Sequence, residues 1–132
     1  MIAAIDPGRE KCGIAILDDS GEVVEHSVIA TVWLTEELGE RMHQYAPSML
    51  VIGNGTSSRK AQESIRAAFP KLQIIETDEY RTTDDAKIAY WKDNPPTGWR
   101  RFFPTSMQVP PVPVDDYAAI ILGQRYLINH KK

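Results

Sequence analysis

The apolar positions of the chain change their spacing several times, and each change marks a change of element. Met1 to Asp6 is a short apolar run ending in Asp-Pro-Gly, the pattern of a central buried strand that stops at a turn with Asp6 at its C-terminal end. Cys12 to Leu17 is a second apolar run. A turn cluster, Asp-Asp-Ser-Gly, follows it, and Val23 to Val32 is rich in β-branched residues. Three strands with tight connections predict an antiparallel meander. After Leu34 the spacing turns helical: Thr35 offers an N-cap, Leu38, Met42 and Tyr45 recur on one face, and Pro47 stops the run. Met49 to Ile52 then predicts a short buried strand closed by Gly53-Asn54-Gly55. A helix with Ala61, Ile65 and Ala68 on one face follows from Ser57, and Leu72 to Ile75 predicts another strand.

A further helix is expected from about Thr83, where Asp84 and Asp85 complement the first-turn dipole, to about Lys92. Residues 94–113 hold Pro95, Pro96, Pro104, Pro110, Pro111 and Pro113, which bar regular helix and central strand and predict a long proline-rich loop. Loops of that length are usually functional or disordered, and Trp99, Phe102 and Phe103 argue against disorder. Asp115 or Asp116 then caps a last helix whose apolar positions are Ala118, Ala119, Ile121, Leu122 and Tyr126. The order predicts one α/β domain over residues 1–132, with a mixed five-stranded sheet: three antiparallel strands, then two parallel ones, with helices on both faces.

Composition narrows the classes. With 132 residues there is room for one core, and 42% apolar with 25% charged residues is ordinary for a globular domain. Cys12 is the single cysteine, so an intramolecular disulfide and a cysteine-built zinc site are excluded, and a cytoplasmic location is expected. The acidic residue at position 6 comes too early for a signal peptide, and no apolar run approaches a membrane span. The net charge of −3 argues at first against a nucleic-acid partner, but charge is clustered. From Thr56 to Lys71, four cations (Arg59, Lys60, Arg66, Lys71) face one acid, Glu63. From Ala86 to Pro110, Lys87, Lys92, Arg100 and Arg101 face only Asp93. Solvated faces account equally well for any single cluster.

Three acidic features lie at element ends: Asp6, Asp78-Glu79 after the last strand, and Asp115-Asp116 opening the last helix. In an open α/β sheet, functional groups gather outside the carboxyl ends of the strands. Carboxylates that converge there repel unless a cation neutralises them, and hard oxygen ligands favour magnesium or manganese. Two such ions about 3.5 to 4 Å apart activate water and stabilise the leaving oxygen of a phosphodiester.

Several segments resemble a known family. Ile5-Asp6-Pro7-Gly8-Arg9-Glu10-Lys11-Cys12-Gly13-Ile14-Ala15 is similar to the opening motif of the RuvC and YqgF group of RNase H-like nucleases. Asp78-Glu79-Tyr80-Arg81-Thr82-Thr83 resembles the Asp-Glu-Arg-Leu-Thr-Thr of YqgF proteins, and Val114 to Leu122 their closing helix. Ile52-Gly53-Asn54-Gly55-Thr56-Ser57-Ser58-Arg59 resembles a stretch of the YqgF-like domain of Tex, a transcription-associated protein. The resemblance implies an RNase H-like fold and a nuclease acting on structured nucleic acid, either branched DNA, as a Holliday junction resolvase does, or precursor ribosomal RNA. It implies Asp6, Glu79 and Asp115 as ligands of two Mg2+ or Mn2+ ions, with Asp116 as a catalytic neighbour. Neighbouring helical positions point about 100° apart, so one of Asp115 and Asp116 faces the metals, and Asp115 matches the family position. Tyr80 stands in the family's arginine position with Arg81 one residue later, and Asn54 stands where RuvC proteins carry a glutamate.

Candidate contacts to DNA or RNA are Lys11, Arg59, Arg81, Trp99, Arg100 and Arg101. Aromatics interleaved with guanidinium groups suit stacking on unpaired bases, and equally suit anchoring the proline-rich loop to the core. The exposed N–H groups of Gly53 to Ser58 could hold a phosphate or simply form a capped turn. His26, His43 and His130 lack metal-ligand spacing and read as surface or packed residues, and Cys12 as a small core filler. No membrane partner is expected, and junction cleavage would call for a homodimer with two symmetric sites. Two other readings stay open: a nucleic-acid-binding module of the same fold without chemistry, and a phosphate-binding hairpin of the actin-like ATPases, which normally needs a longer chain. Convergence of Asp6, Glu79 and Asp115 on one point separates the first of these from an enzyme.

Overall fold

In the computed structural model, which describes residues 1–78, 82–94 and 115–129, the apolar run after Met1 forms β1 (Ile2–Asp6) at the centre of a five-stranded sheet. Ile2 to Ile5 are buried on both sides, as expected for a continuous apolar strand covered on both faces. β2 (Lys11–Leu17) pairs antiparallel with β1, and β3 (Val23–Ala30) pairs antiparallel with β2. β4 (Met49–Gly53) lies parallel to the other side of β1, and β5 (Gln73–Thr77) parallel to β4, giving the order β3-β2-β1-β4-β5. The expected mixed sheet is therefore the observed one.

The period-two alternation of the strands sorts the helices onto two faces. Ala3 and Ile5 of β1, with Cys12, Ile14, Ile16, Leu50 and Ile52, pack under α1 (Leu34–Tyr45) and α2 (Ser58–Ala68) through Leu38 and Ile65. Ile2 and Ala4, with Ala15, Leu17 and Val51, pack under α3 (Thr82–Asp93) and α4 (Asp115–Asn129) through Tyr90, Ala119 and Leu122. Polar ties fix the helices. Buried Arg41 of α1 donates to Glu37 Oε2 at 2.9 Å and lies 3.4 Å from Glu25 of β3. Gln62 of α2 donates to Glu76 of β5 at 2.6 Å, and Arg125 of α4 to Asp85 of α3 at 2.6 Å.

Two boundaries differ from expectation for one reason. β3 ends at Ala30, and a 3-10 turn, Thr31–Trp33, leads directly into α1, so the helix starts at Leu34 with Trp33 as its cap residue. Thr35 is thus inside the first turn; its hydroxyl donates to Glu36 at 3.2 Å and caps nothing. α1 ends at Tyr45, and its C-cap Ala46 takes a left-handed conformation (φ 47°) just before Pro47. The proline-rich segment expected over about 94–113 lies, but for its first residue, outside the described residues.

Candidate functional site

β1, β4 and β5 run parallel, so their C-terminal ends share one edge of the sheet. Asp6 ends β1 there, half-buried, paired with Gly13 of β2. Alternation puts Asp6 on the same face as Ile2 and Ala4, the face covered by α4. Gly13 explains why the helix can reach that spot. A Cβ on Gly13 would overlap the backbone carbonyl of Asp115, so only glycine lets the first turn of α4 lie against β2 beside Asp6. The second glycine of the opening motif is thereby a packing requirement of the site.

Asp115 and Asp116 part company at this contact, as their helical spacing requires. Asp115 is partly buried, and this burial, reinforced by the neighbouring Asp116 charge, pushes its carboxyl above the usual carboxylate range, while the Lys11 ammonium pulls it back. Asp116 is buried and turned towards β3. Its Oδ2 lies 2.7 Å from His26 Nδ1, its Oδ1 accepts the Tyr117 N–H at 3.0 Å, and the His26 and Tyr117 rings lie 5.2 Å apart. Asp116 thus anchors the helix through His26, while the peptide joining Asp115 to Asp116 lies against Gly13. His26, expected as a surface or packed residue, is 35% exposed and holds this anchor. Its partner is 90 positions away, so no local pattern could have disclosed the pair.

Of the other expected site residues, Lys11 begins β2 and its charge reaches Asp115. Arg59 lies in the first turn of α2, 93% exposed, 3.5 Å from Glu63 one turn on. Glu79, Arg81, Trp99, Arg100 and Arg101 lie outside the described residues; Asp78, just before Glu79, follows β5 at the same sheet edge. Among the described residues, no three His, Cys, Asp or Glu side chains converge as a metal site. Asp6 and Asp115 lie on neighbouring elements here and offer hard carboxylate oxygens, and the half-buried Asp115 carboxyl, raised by burial and by the Asp116 charge, would be relieved by a divalent cation, so the donor chemistry suits Mg2+ or Mn2+. Cys12 is fully buried, its Sγ 3.2 Å from the Thr31 hydroxyl, as a core filler should be.

A family model described as Tex protein YqgF-like domain matches residues 1–83. The chain belongs to that family. The matched segment of this YqgF-like chain carries Asp6, Gly13, the Gly53-Asn54-Gly55 turn and Glu79, and stops short of α4. Over 72 residues it is 36% identical to "Uncharacterized protein YdcI" of Bacillus subtilis (strain 168), covering 48% of this chain and 10% of that protein. The chain thus spans about a tenth of the length of this curated relative. Among solved structures, RuvC of T. thermophilus in complex with a Holliday junction substrate superposes with a TM-score of 0.64 at 10% identity, over 98% of this chain and 94% of the other. RuvC from Thermus thermophilus in another structure gives 0.60 at 10% identity, over 98% and 96%. At that identity the likeness shows the fold: the YqgF-like chain has the RNase H-like fold of RuvC, α4 included.

Proposed function

We propose that the chain is a divalent-metal-dependent nuclease that cleaves phosphodiester bonds in structured nucleic acid, branched DNA or precursor ribosomal RNA. The observation that supports the proposal is the seating of the first turn of α4, through the Asp115 backbone, against Gly13, the ladder partner of Asp6, so that the helix bearing Asp115 starts beside the strand end bearing Asp6. Asp6 and Asp115 would hold the metal, with Glu79 as the third carboxylate. Two ions, when bound, would activate water and neutralise the charge that develops on the phosphate. The chain's own part is to hold these oxygens in place: β1 is rigid at the sheet centre, and the His26–Asp116 pair pins the first turn of α4. RuvC in its junction complex supports a nucleic-acid partner by likeness of fold, and the buried lone cysteine supports a cytoplasmic setting. Among the described residues, no helix is long and apolar enough to cross a membrane.

A second reading, a nucleic-acid-binding module without chemistry, draws on Lys11, whose ammonium partly supplies the charge compensation a metal would give Asp115. One experiment separates the two. Junction, duplex and single-stranded DNA and structured RNA are incubated with the protein in manganese, and wild type is compared with Asp6→Asn. The nuclease reading expects cleavage of at least one substrate and its fall to background in Asp6→Asn, with the folded state and substrate binding retained. Cleavage that survives Asp6→Asn refutes that assignment. Binding of these substrates with no cleavage by wild type establishes the module.

A further inference from the structure

The turn after Asp6 does more than end a strand. On the other face of the sheet edge, Gly8 and Arg9 form one end of a groove of about 420 Å³ that continues between the 3-10 turn and the start of α2. Its volume lies within the range of small-molecule sites. The walls carry two cations, Arg9 and Lys60, and hydroxyls including Thr31, Thr56, Ser57 and Ser64, and no carboxylate lines it. Arg9 and Lys60 are both exposed, and neither is engaged in an ion pair among the described residues, in contrast to Arg59 on the same helix, which faces Glu63. The floor is apolar, from Leu34 and Ala61, and the rim carries Val32, 80% exposed, next to Trp33, 59% exposed. An apolar side chain, Val32, left in water at the rim of a cationic groove suits a ligand with an anionic part and an apolar part.

We infer that this groove binds one sugar–phosphate unit of the nucleic-acid strand whose neighbouring phosphate lies at Asp6. The inference rests on the nuclease reading for what happens at Asp6, and adds where the flanking strand runs: over Pro7-Gly8-Arg9, from the α4 face to the α1–α2 face. Electrostatics favour this division. The Asp6–Asp115 side of the edge is acidic and repels phosphate except where a cation bridges, whereas the groove offers cations and hydrogen-bond donors with no competing acid. Arg9 can hold two phosphate oxygens through its fork, and Lys60 contributes a point charge. The hydroxyls of Thr56, Ser57 and Ser64 give further donors, Thr31 Oγ1 being committed to the Gly8 carbonyl, and Leu34 and Ala61 face the sugar.

The test measures binding of oligothymidylate and oligouridylate as a function of salt, without divalent metal and in the Asp6→Asn background, so that it does not depend on cleavage. Each phosphate no longer neutralised on a single strand lowers the slope of log K against log salt by about 0.7, so Arg9→Ala/Lys60→Ala, which strips both cations from the one phosphate, is expected to lower it by about 0.7. Lys71→Ala, at the opposite edge of the sheet in the turn before β5, is expected to leave it unchanged. Lys60→Gln alone, at an exposed position that folding tolerates, is expected to lower the affinity and to lower the slope by part of that amount, since Arg9 remains on the phosphate. The DNA and RNA probes report which backbone the groove accepts, and a slope loss with either supports the inference. Equal slopes and affinities for Lys60→Gln and the parent with both probes overturn it. A slope loss accompanied by failure of the manganese cleavage assay keeps the strand path and discards the nuclease.

Discussion

Two aspartates stand at opposite ends of the same strand pair, and their contrast shows what makes an acid a site. Asp6 ends β1 before Pro-Gly, and Asp18 follows β2 at the start of Asp-Asp-Ser-Gly. In sequence both are an acid between an apolar run and a turn. Asp18 is taken up by its own turn: Oδ1 accepts the Ser20 hydroxyl at 2.6 Å and the N–H groups of Ser20 and Glu22 at 2.9 and 3.0 Å, with Gly21 at φ 93° closing the loop. Asp6 instead lies opposite a glycine, and the space left by that glycine is filled by the helix terminus that brings Asp115. The difference is made by the residue across the ladder rather than by the aspartate.

The sharpest way to break the contrast is therefore Gly13→Ala. The new Cβ would meet backbone, the Asp115 carbonyl, which cannot swing aside as a side chain could. A loss of about 3 kcal/mol is expected, at the upper end of ordinary overpacking costs, read as a lower urea midpoint. Manganese-dependent cleavage is expected to fall to background even at temperatures where the variant is folded, because α4 must move away from Asp6. A Gly13→Ala protein with unchanged midpoint and unchanged cleavage would show that the close approach of α4 is not what builds the site.

How much of this was legible in the sequence follows from the range of each signal. β1, β2, β4, α2 and α4 were readable because burial on one or two faces leaves a period in the apolar residues, and these boundaries fall within about two residues of expectation. The 3-10 turn was not, since Thr31-Val32-Trp33 reads as a continuation of a β-branched strand; only the packing of Leu34 under the sheet ends β3 early. Asp6 and Asp115 were legible as acids at element ends, and the motif resemblance tied them together. The preference for Asp115 over Asp116 rested on helical geometry and a family position, whereas the contact that engages Asp116, with His26, spans the whole fold and left no sequence signal. The groove was half legible: Thr56 and Ser57 were marked by their glycine-rich turn, whereas Arg9, Thr31 and Lys60 come from three separate segments that only the tertiary structure joins.

His26→Ala sharpens the comparison from the anchoring side. It leaves Asp116, a buried carboxylate, with the Tyr117 N–H but without the imidazole, and a cost of about 1 to 3 kcal/mol is expected, the range for a buried polar group deprived of its partner. Because the Asp116 carboxylate is turned to His26 and Asp115 is the proposed metal ligand, cleavage below the melting range is expected to change only a few-fold. If His26→Ala keeps its stability but loses manganese-dependent cleavage, Asp116 belongs with the metal ligands and the division of labour on α4 is reversed.

The smallest effect belongs to the structural aspartate. The Ser20 hydroxyl, then the Glu22 N–H, hold the Asp18 carboxyl below the usual value of 3.8. A carboxyl whose folded pKa is depressed contributes stability above its unfolded pKa and loses it as pH falls through the folded value. Asp18→Asn, which keeps an acceptor but removes the charge, is therefore expected to lower the melting temperature slightly near neutral pH, with the gap from wild type closing at the acid end. Asp18 keeps contact with solvent, so water screens much of the gain, and the turn persists in the variant. Cleavage should not change, because the Asp18 turn lies at the end of β2 remote from Asp6. A gap that stays constant with pH would mean that the turn uses Asp18 for its shape alone, and the two aspartates would then differ in whether their charge matters at all.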